Sequence, residues 1–259
     1  MAIKNVIFDM DGVLYRGETA IPGAGEAVAA LRKMGMKIFF FTNNAEKTRK
    51  QFVEILIGFG VSAKEEEVYA TSYGAAVYIK KNLPGKKVFA FSSGTIEELK
   101  RHGIPILLSK KAEVVVAGLD LELNYEKLAT AFQAINSGAA FIATNEDNSY
   151  PVEDAILPGA GAIVAALSST TGVKPVLIGK PEPYLLDIMI KEHKLKKEET
   201  LMVGDRLQTD ILMAKREGLH SALVLSGIST KKEITECGLV PDYVLDSVAQ
   251  LPGILKEKK

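Results

Sequence analysis

Short runs of β-branched and aromatic residues alternate with alanine-rich amphipathic stretches along almost the whole chain. This alternation favours an α/β fold in which a doubly wound parallel sheet carries helices on both faces. Strands are predicted at residues 6–8, 37–41, 176–178, 201–203 and 222–225, and helices at residues 23–34, 48–58, 184–193 and 210–217.

A middle segment has strands and helices of its own and is large enough to bury a second core. Its strands are predicted at residues 88–91, 114–117 and 141–143, and its helices at 95–102 and 125–137. The stretches 80–87 and 168–175 are rich in helix and strand breakers and are the predicted hinges. We therefore expect a Rossmann-like core from residues 1–80 and 176–259, with a smaller α/β cap domain inserted at 81–175.

The charge balance excludes some classes of partner. Lys plus Arg and Asp plus Glu both number 32, so the chain has no net field that would recruit nucleic acid or an anionic membrane.

The single cysteine, Cys237, excludes an internal disulfide and is expected to be a buried, inert thiol. No signal peptide precedes the first strand and no apolar run approaches ~18 residues, so we predict a cytoplasmic protein.

The first predicted strand ends in two carboxylates, Asp9 and Asp11, with only Met10 between them. Turn chemistry explains Asp11, because Asp11-Gly12 is a common turn dipeptide. It does not explain a second carboxylate at the end of a buried strand, where like charges repel and desolvation is costly. Two carboxylates held together usually share a cation, a proton or a reaction.

Polar residues also follow three other predicted strands. Taken alone, each group has an ordinary structural explanation, namely a loop with a helix cap, a solvated lysine, or acidic residues near a helix N-terminus. The groups are Thr42-Asn43-Asn44 after residues 37–41, Lys180 after residues 176–178, and Asp205 with Asp210 after residues 201–203.

Taken together, the four groups indicate a functional site. In an open parallel sheet, functional groups gather in the crevice beyond the carboxyl ends of the strands, where all four groups would lie. Carboxylate oxygens suit Mg²⁺, which typically shares its coordination with a substrate phosphate. Lys180, Thr42 and backbone N–H groups supply donors for phosphoryl oxygens. The residues alone therefore predict a magnesium site that binds a phosphorylated ligand.

Four stretches of the sequence resemble the ordered motifs of the haloacid dehalogenase (HAD) superfamily. They are "DMDGVLYRG", "FTNN", "GKP" and "GDRLQTDI", and they extend over nearly the whole chain. The large insertion between "FTNN" and "GKP" is most similar to the NagD/4-nitrophenylphosphatase branch. Only thirty residues separate Asp11 from Thr42, too few for the cap that other branches place in that interval.

The resemblance implies roles for the matched residues. Asp9 would be the nucleophile that forms an aspartyl-phosphate. Asp11 would protonate the leaving oxygen and then activate the hydrolytic water. Thr42 and the Asn43 amide would hold phosphoryl oxygens, and Lys180 would neutralise both the phosphate and Asp9.

The resemblance also implies a metal site and a reaction. Mg²⁺ would bind Asp9, the Asp11 carbonyl oxygen and Asp205, and Asp210 would orient Lys180 or a metal-bound water. Haloacid dehalogenation needs no acid such as Asp11. The expected activity is therefore hydrolysis of small-molecule phosphate monoesters.

Substrate selectivity is expected to reside in the cap, because the core motifs recognise only a phosphoryl group and a metal. Related phosphatases use the stretch "TNEDNSYP" at 144–151 as a substrate-facing loop. Tyr150 is expected to stack on the leaving group, with Asn145, Asp147 and Asn44 as further substrate contacts. The expected partner is a small phosphorylated metabolite, and the resemblance allows a homodimer formed through the cap.

Two other functions fit the same residues. A phosphotransferase would pass the aspartyl-phosphate to a second hydroxyl group instead of to water. A non-catalytic module would only bind phosphorylated ligands, but binding alone needs no general acid, so the presence of both Asp9 and Asp11 argues against it.

Overall fold

The computed structural model of the chain describes residues 2–151 and 155–257. These residues form two compact units. Of the described residues, 2–42, 52–69 and 180–257 form the first unit, and 43–51, 70–151 and 155–179 form the second.

The strands and helices alternate along the described residues as the apolar pattern predicts. The strands are β1 Asn5–Phe8, β2 Tyr15–Arg16, β3 Thr19–Ala20, β4 Lys37–Thr42, β5 Val68–Ala70, β6 Val88–Ala90, β7 Val114–Ala117, β8 Ala140–Ala143, β9 Ser149–Pro151, β10 Ile156–Pro158, β11 Val176–Leu177, β12 Thr200–Gly204, β13 His220–Val224 and β14 Tyr243–Leu245. The helices are α1 Ala24–Lys33, α2 Arg49–Gly58, α3 Thr71–Asn82, α4 Ser93–Arg101, α5 Tyr125–Asn136, α6 Ala160–Thr171, α7 Tyr184–His193, α8 Leu212–Glu217, α9 Lys231–Cys237 and α10 Leu251–Glu257.

The first unit is built on a six-stranded sheet with the order β14-β13-β12-β1-β4-β5. β1 lies at the centre, paired in parallel with β12 on one side and with β4 on the other. All four of its residues are buried, including Asn5, whose side-chain amide donates to Thr200 Oγ1 (3.1 Å). Strand order reverses at β1, so the carboxyl end of β1 faces a crevice where a parallel α/β sheet binds ligands.

The second unit has a four-stranded parallel sheet with the order β11-β8-β7-β6. Apolar residues of α5 and α6 pack on one face of this sheet, against Val115 and Phe141 among others. Side-chain caps define where two of its helices begin, because Ser92 accepts from Thr95 N at α4 and Asn124 accepts from Lys127 N at α5. The predicted α/β fold with an inserted α/β domain is confirmed.

The boundaries of the two units differ from the predicted ones. The expected core strand at 176–178 is β11, which pairs with β8 in the second sheet, so residues 176–179 belong to the inserted unit. Residues 70–80 also belong there, because α3 packs on α4. Both predicted hinges, 80–87 and 168–175, therefore connect elements within the second unit. The chain passes between the units after Thr42, Gln51, Tyr69 and Gly179.

Cys237 is exposed, contrary to the expectation of a buried thiol. It ends α9, a short helix with no buried residue. Ile234 of the same helix is partly buried against Leu207, Ile211 and Leu223, whereas Cys237 is exposed. No helix among the described residues is long and apolar enough to span a membrane.

Candidate active site

Asp9 directly follows β1 and extends it, since its N–H donates to Val203 O (2.8 Å). Its side chain is only 13% exposed. Burial raises the pKa of Asp9 well above its ordinary value; Lys180 opposes that rise, and the nearby carboxylates of Asp210 and Asp205 add to it. Asp9 therefore occupies a place where a carboxylate needs positive charge nearby.

Lys180 supplies part of that charge. Its Nζ lies 2.8 Å from Asp9 Oδ1 and 2.6 Å from Asp210 Oδ1, and it donates to Phe41 O (3.2 Å). The side chain is 2% exposed. Burial alone would lower the pKa of Lys180, but the carboxylates of Asp210 and Asp9 outweigh burial and raise it. Lys180 is therefore a permanently charged ammonium between two carboxylates.

Asp205 and Asp210 follow β12 at its carboxyl end. Asp205 Oδ2 accepts from Ile228 N (2.8 Å), and Asp210 Oδ2 accepts from Arg206 N (3.1 Å) within a π-helical turn at Leu207–Ile211. Both side chains are buried. Burial, and then the charge of Asp210, raise the pKa of Asp205 to about 7.

The arrangement fits a divalent cation bound by oxygen ligands. One carboxylate oxygen each from Asp9, Asp205 and Asp210 lies within 4.8 Å of the other two. Within the described residues, Asp205 Oδ1 is buried and has no hydrogen-bond partner. Three carboxylates thus lie near one ammonium, that of Lys180. A carboxylate oxygen that is buried away from water, such as Asp205 Oδ1, needs a partner. Hard oxygen donors of this kind suit Mg²⁺.

Asp11 lies in the turn that follows Asp9. Burial raises the pKa of Asp11, and the Arg206 guanidinium and backbone N–H groups only partly offset this rise. Its Oδ1 is buried and accepts no hydrogen bond from any residue in the described ranges. A carboxyl group whose pKa is raised holds its proton at a higher pH, as a general acid requires.

Thr42 is buried and is the last residue of β4. Since β4 pairs in parallel with β1, Thr42 lies at the same edge of the sheet as Asp9, which follows β1. Asn43 is also buried and belongs to the second unit. Asn44 is exposed, and its Oδ1 accepts from Glu46 N (2.8 Å), which forms an Asx turn.

The remaining predicted substrate contacts lie in the second unit. Asn145 is buried and donates through Nδ2 to Asn43 O (2.7 Å). Asp147 accepts from Asn43 Nδ2 at 3.3 and 3.4 Å. Tyr150 is half-buried and lies on β9, where its register partner is Leu157 of the antiparallel strand β10; the two strands form the β9–β10 hairpin. Asn145 and Asp147, in the loop after β8, therefore contact the segment that follows Thr42.

A fifth strand end was not predicted to contribute. The loop after β13 carries Ser226, which donates to Gly12 O (2.7 Å), and Ile228, which donates to Asp205. A Cβ atom on Gly227 would overlap the Asp205 carboxylate, and one on Gly12, where φ is +79°, would lie 2.5 Å from Asp205 Oδ2. The signal was present as a Ser-Gly pair at the end of an apolar strand, but such pairs are common in turns.

Comparison with known proteins gives the same family as the motifs. A haloacid dehalogenase-like hydrolase model matches residues 6–105, and a HAD-hydrolase-like model matches residues 177–251. The 4-nitrophenylphosphatase of Schizosaccharomyces pombe is 37% identical over 95% of this chain and 92% of its own. The 5′-nucleotidase YutF of Bacillus subtilis is 34% identical over 95% and 96%. The solved structure of NagD from E. coli K-12 has a TM-score of 0.87 at 31% identity, and the match covers 96% of this chain and 98% of NagD.

The chain belongs to the haloacid dehalogenase-like hydrolase family, within the branch that contains NagD and the 4-nitrophenylphosphatases. It is an enzyme of the HAD phosphatase type. The resemblance inferred from the four motifs is therefore confirmed.

Proposed function

We propose that the protein is a Mg²⁺-dependent phosphatase that hydrolyses small-molecule phosphate monoesters through an aspartyl-phosphate on Asp9. The observation that carries the proposal is the buried Lys180, held between Asp9 and Asp210. A buried ion pair is weak evidence for stability, because apolar packing of similar volume often stabilises a fold equally well. A buried ammonium does suit a site in which a phosphoryl anion must lie close to a carboxylate nucleophile, because it offsets the repulsion between the two negative charges.

The two half-reactions use the same pair of carboxyl groups. An oxygen of Asp9 attacks phosphorus, the bond from phosphorus to the ester oxygen breaks, and that oxygen takes the proton of Asp11. Water then attacks the phosphorus, Asp11 takes its proton, and the phosphorus–oxygen bond to Asp9 breaks to release inorganic phosphate. The raised pKa of Asp11 supports its role as the acid.

The other residues hold the transferring group. Lys180 offsets the charge of the phosphoryl oxygens and of Asp9, while the Thr42 hydroxyl and the Asn43 amide donate to phosphoryl oxygens. Mg²⁺ would be held by Asp9, Asp205 and the Asp11 carbonyl oxygen, with Asp210 paired to Lys180. When bound, the metal would supply positive charge to the phosphoryl group and to the carboxylates that hold it.

The proposal extends to a class of substrate and not to one compound. The relatives are named for 4-nitrophenyl phosphate and for 5′-nucleotides, which share only the phosphate monoester. Assembly as a homodimer through the inserted unit stays a prediction, as does a cytoplasmic location.

Removing the metal tests the proposal. EDTA should abolish hydrolysis of 4-nitrophenyl phosphate, excess Mg²⁺ should restore it, and Ca²⁺ should support it poorly because its larger, looser coordination misplaces the nucleophile. Circular dichroism in EDTA should show that the fold persists. Undiminished hydrolysis in metal-free buffer would rule the proposal out.

The same assay with an added alcohol separates hydrolysis from phosphotransfer. A phosphatase releases 4-nitrophenol and inorganic phosphate in equal amounts. A phosphotransferase would release less phosphate than 4-nitrophenol, and a non-catalytic module would release neither.

A further inference from the structure

The backbone of residues 43–49, which follows Thr42, is held by polar side chains of the second unit at every second residue. Side chains of α3, of α4 and the residue that caps it, and of the loop after β8 supply these contacts. They are Thr71 and Asn145 on Asn43 O, Ser92 and Thr95 on Ala45 O, Ser72 on Lys47 O, and Glu98 on Arg49 N.

The Asn43–Asn44 peptide is the most firmly held of these. Its carbonyl oxygen accepts from Thr71 Oγ1 and from Asn145 Nδ2, each at 2.7 Å. Thr71 is 0% exposed and Asn145 is 4% exposed. Asn145 Oδ1 also accepts from Asp147 N (3.1 Å), so both ends of its amide are engaged within the protein. Since Asn145 is also almost fully buried, little of its side chain is accessible to a leaving group.

Gly179, which precedes Lys180, packs against the same residues. Its N–H donates to Thr144 O (2.9 Å). A Cβ atom at Gly179 would lie 2.5 Å from Asn43 Oδ1, 2.6 Å from Thr144 O and 2.7 Å from Thr71 Cγ2, so only glycine fits. We name Asn43, Thr71, Thr144, Asn145 and Gly179 the junction cluster.

Two members of the junction cluster are neighbours of proposed catalytic residues: Asn43 is bonded to Thr42, and Gly179 is bonded to Lys180. The cluster therefore fixes the backbone next to both. The family resemblance implied that Asn145 contacts the leaving group, because related phosphatases use the stretch at 144–151 as a substrate-facing loop. We propose instead that Asn145 and Thr71 are positioning residues, which orient the segment after Thr42 and, through Gly179, the segment before Lys180. This inference rests on the proposed phosphatase function.

A positioning role predicts losses that do not depend on the leaving group. A displacement of about 1 Å in a group that holds the reacting atoms can cost on the order of a hundredfold in rate. A contact to the leaving group would instead matter only for substrates that carry one. Acetyl phosphate has almost no leaving group to recognise, so it separates the two roles.

The experiment compares kcat and KM on 4-nitrophenyl phosphate and acetyl phosphate, together with the melting temperature of each variant. Asn145→Ala and Thr71→Val should lower kcat about tenfold to a hundredfold by the same factor on both substrates. Thr71→Ser, which keeps the hydroxyl, should recover most of the activity. The double variant should lose less than the product of the single losses, because both donors serve one carbonyl oxygen.

Asn124→Ala is the matched control. It removes a comparable side-chain to backbone bond, Asn124 Oδ1 with Lys127 N at 2.9 Å, in the same unit but outside the junction cluster. It should lower the melting temperature and leave kcat unchanged. If Asn145→Ala fails to fold, Thr71→Val and Thr71→Ser still carry the comparison.

Three results would overturn the positioning role. The first is a loss on 4-nitrophenyl phosphate with acetyl phosphate unaffected, which would make Asn145 a leaving-group contact. The second is a loss of kcat in Asn124→Ala equal to that in Asn145→Ala, which would make the effect one of stability alone. The third is full activity in all the variants. A wild-type protein that hydrolysed neither substrate would instead overturn the proposed function itself.

Discussion

At the scale of single residues, Asp9 and Asp11 lie two positions apart and have different surroundings. Asp9 contacts a buried ammonium, while Asp11 has a buried oxygen with no partner in the described part of the chain. The first environment favours an ionised carboxylate once a cation is present, and the second favours a protonated one. This difference matches a nucleophile beside a general acid.

Substituting each of the two residues should therefore give different losses. Asp9→Asn should abolish turnover, because an amide cannot form the acyl phosphate, and should leave the fold intact. Asp11→Asn should slow turnover by roughly 10²–10⁴-fold, the range that general acid–base catalysis contributes. Single-turnover kinetics on 4-nitrophenyl phosphate measures both. An Asp9→Asn protein with a tenth of the wild-type rate would exclude an aspartyl-phosphate as the main route.

The sequence predicted the carboxylate and lysine residues of this group because each follows an apolar run. It could not predict which polar side chains would form hydrogen bonds within the protein and which would contact a substrate. Asn145 illustrates this limit, since its burial and its bond to Asn43 O depend on a contact across a hundred residues. A polar loop residue looks the same in sequence whether it meets a ligand or a backbone carbonyl.

At the scale of elements, apolar runs predicted most strands and helices to within a few residues, because periodicity is a local property. The sheet to which a strand belongs is not local. β11 reads as a core strand in sequence, yet its register with β8 places it in the second sheet. The π-helical turn at Leu207–Ile211 was also missed; helix was expected only from residue 210, and the wider turn carries Asp210.

One carboxylate, Asp242, joins three elements of the first unit. Its Oδ1 lies 2.7 Å from Lys215 Nζ of α8, and its Oδ2 accepts from Ser221 N (2.7 Å) and Ser221 Oγ (2.9 Å) of β13, just before β14 begins. Burial tends to raise the pKa of Asp242, but the bonds from Lys215 and Ser221 outweigh it and lower the pKa below its ordinary value.

This shift predicts a stability difference that depends on pH. A lowered pKa in the folded state stabilises the fold above the unfolded-state pKa and ceases to do so as the pH falls through the folded-state value. The Asp242 side chain is 37% exposed, so solvent screens part of this contribution. Asp242→Asn should therefore lose at most about 1 kcal/mol of unfolding free energy at pH 7 and progressively less below about pH 4. Urea denaturation at several pH values measures this. Asp246→Asn, at an exposed carboxylate nearby, should change little; a pH-independent loss at Asp242 would contradict the assignment.

At the scale of the whole molecule, the inserted unit is the part of the chain available for recognition beyond the phosphate. Tyr150 lies half-buried on the β9–β10 hairpin, so part of its ring is accessible. Because Asn145 donates to Asn43 O, Tyr150 stays the first candidate for a leaving-group contact, as it is from the sequence. A tyrosine ring can stack on a base or a sugar face.

Tyr150→Ala should lower kcat/KM for the best metabolite tenfold or more, which is about 1.4 kcal/mol of transition-state stabilisation. Acetyl phosphate should be hardly affected. A screen of phosphorylated metabolites identifies the substrate, and steady-state kinetics then gives both values. Tyr125→Ala, at a tyrosine of the same unit that is 85% exposed, serves as the control. Equal losses on both substrates would remove Tyr150 from the specificity determinants.

The position of β1 at the centre of the first sheet has a consequence for the growing polypeptide. Its partner β12 begins at Thr200, so during translation Asn5–Phe8 can pair only with β4 until almost two hundred further residues have been made. The sheet strands of the inserted unit all lie between Val88 and Leu177, so that sheet can form first on the ribosome. A nascent chain stalled before residue 200 would expose an apolar strand edge, the kind of surface that chaperones bind and that aggregates nucleate on.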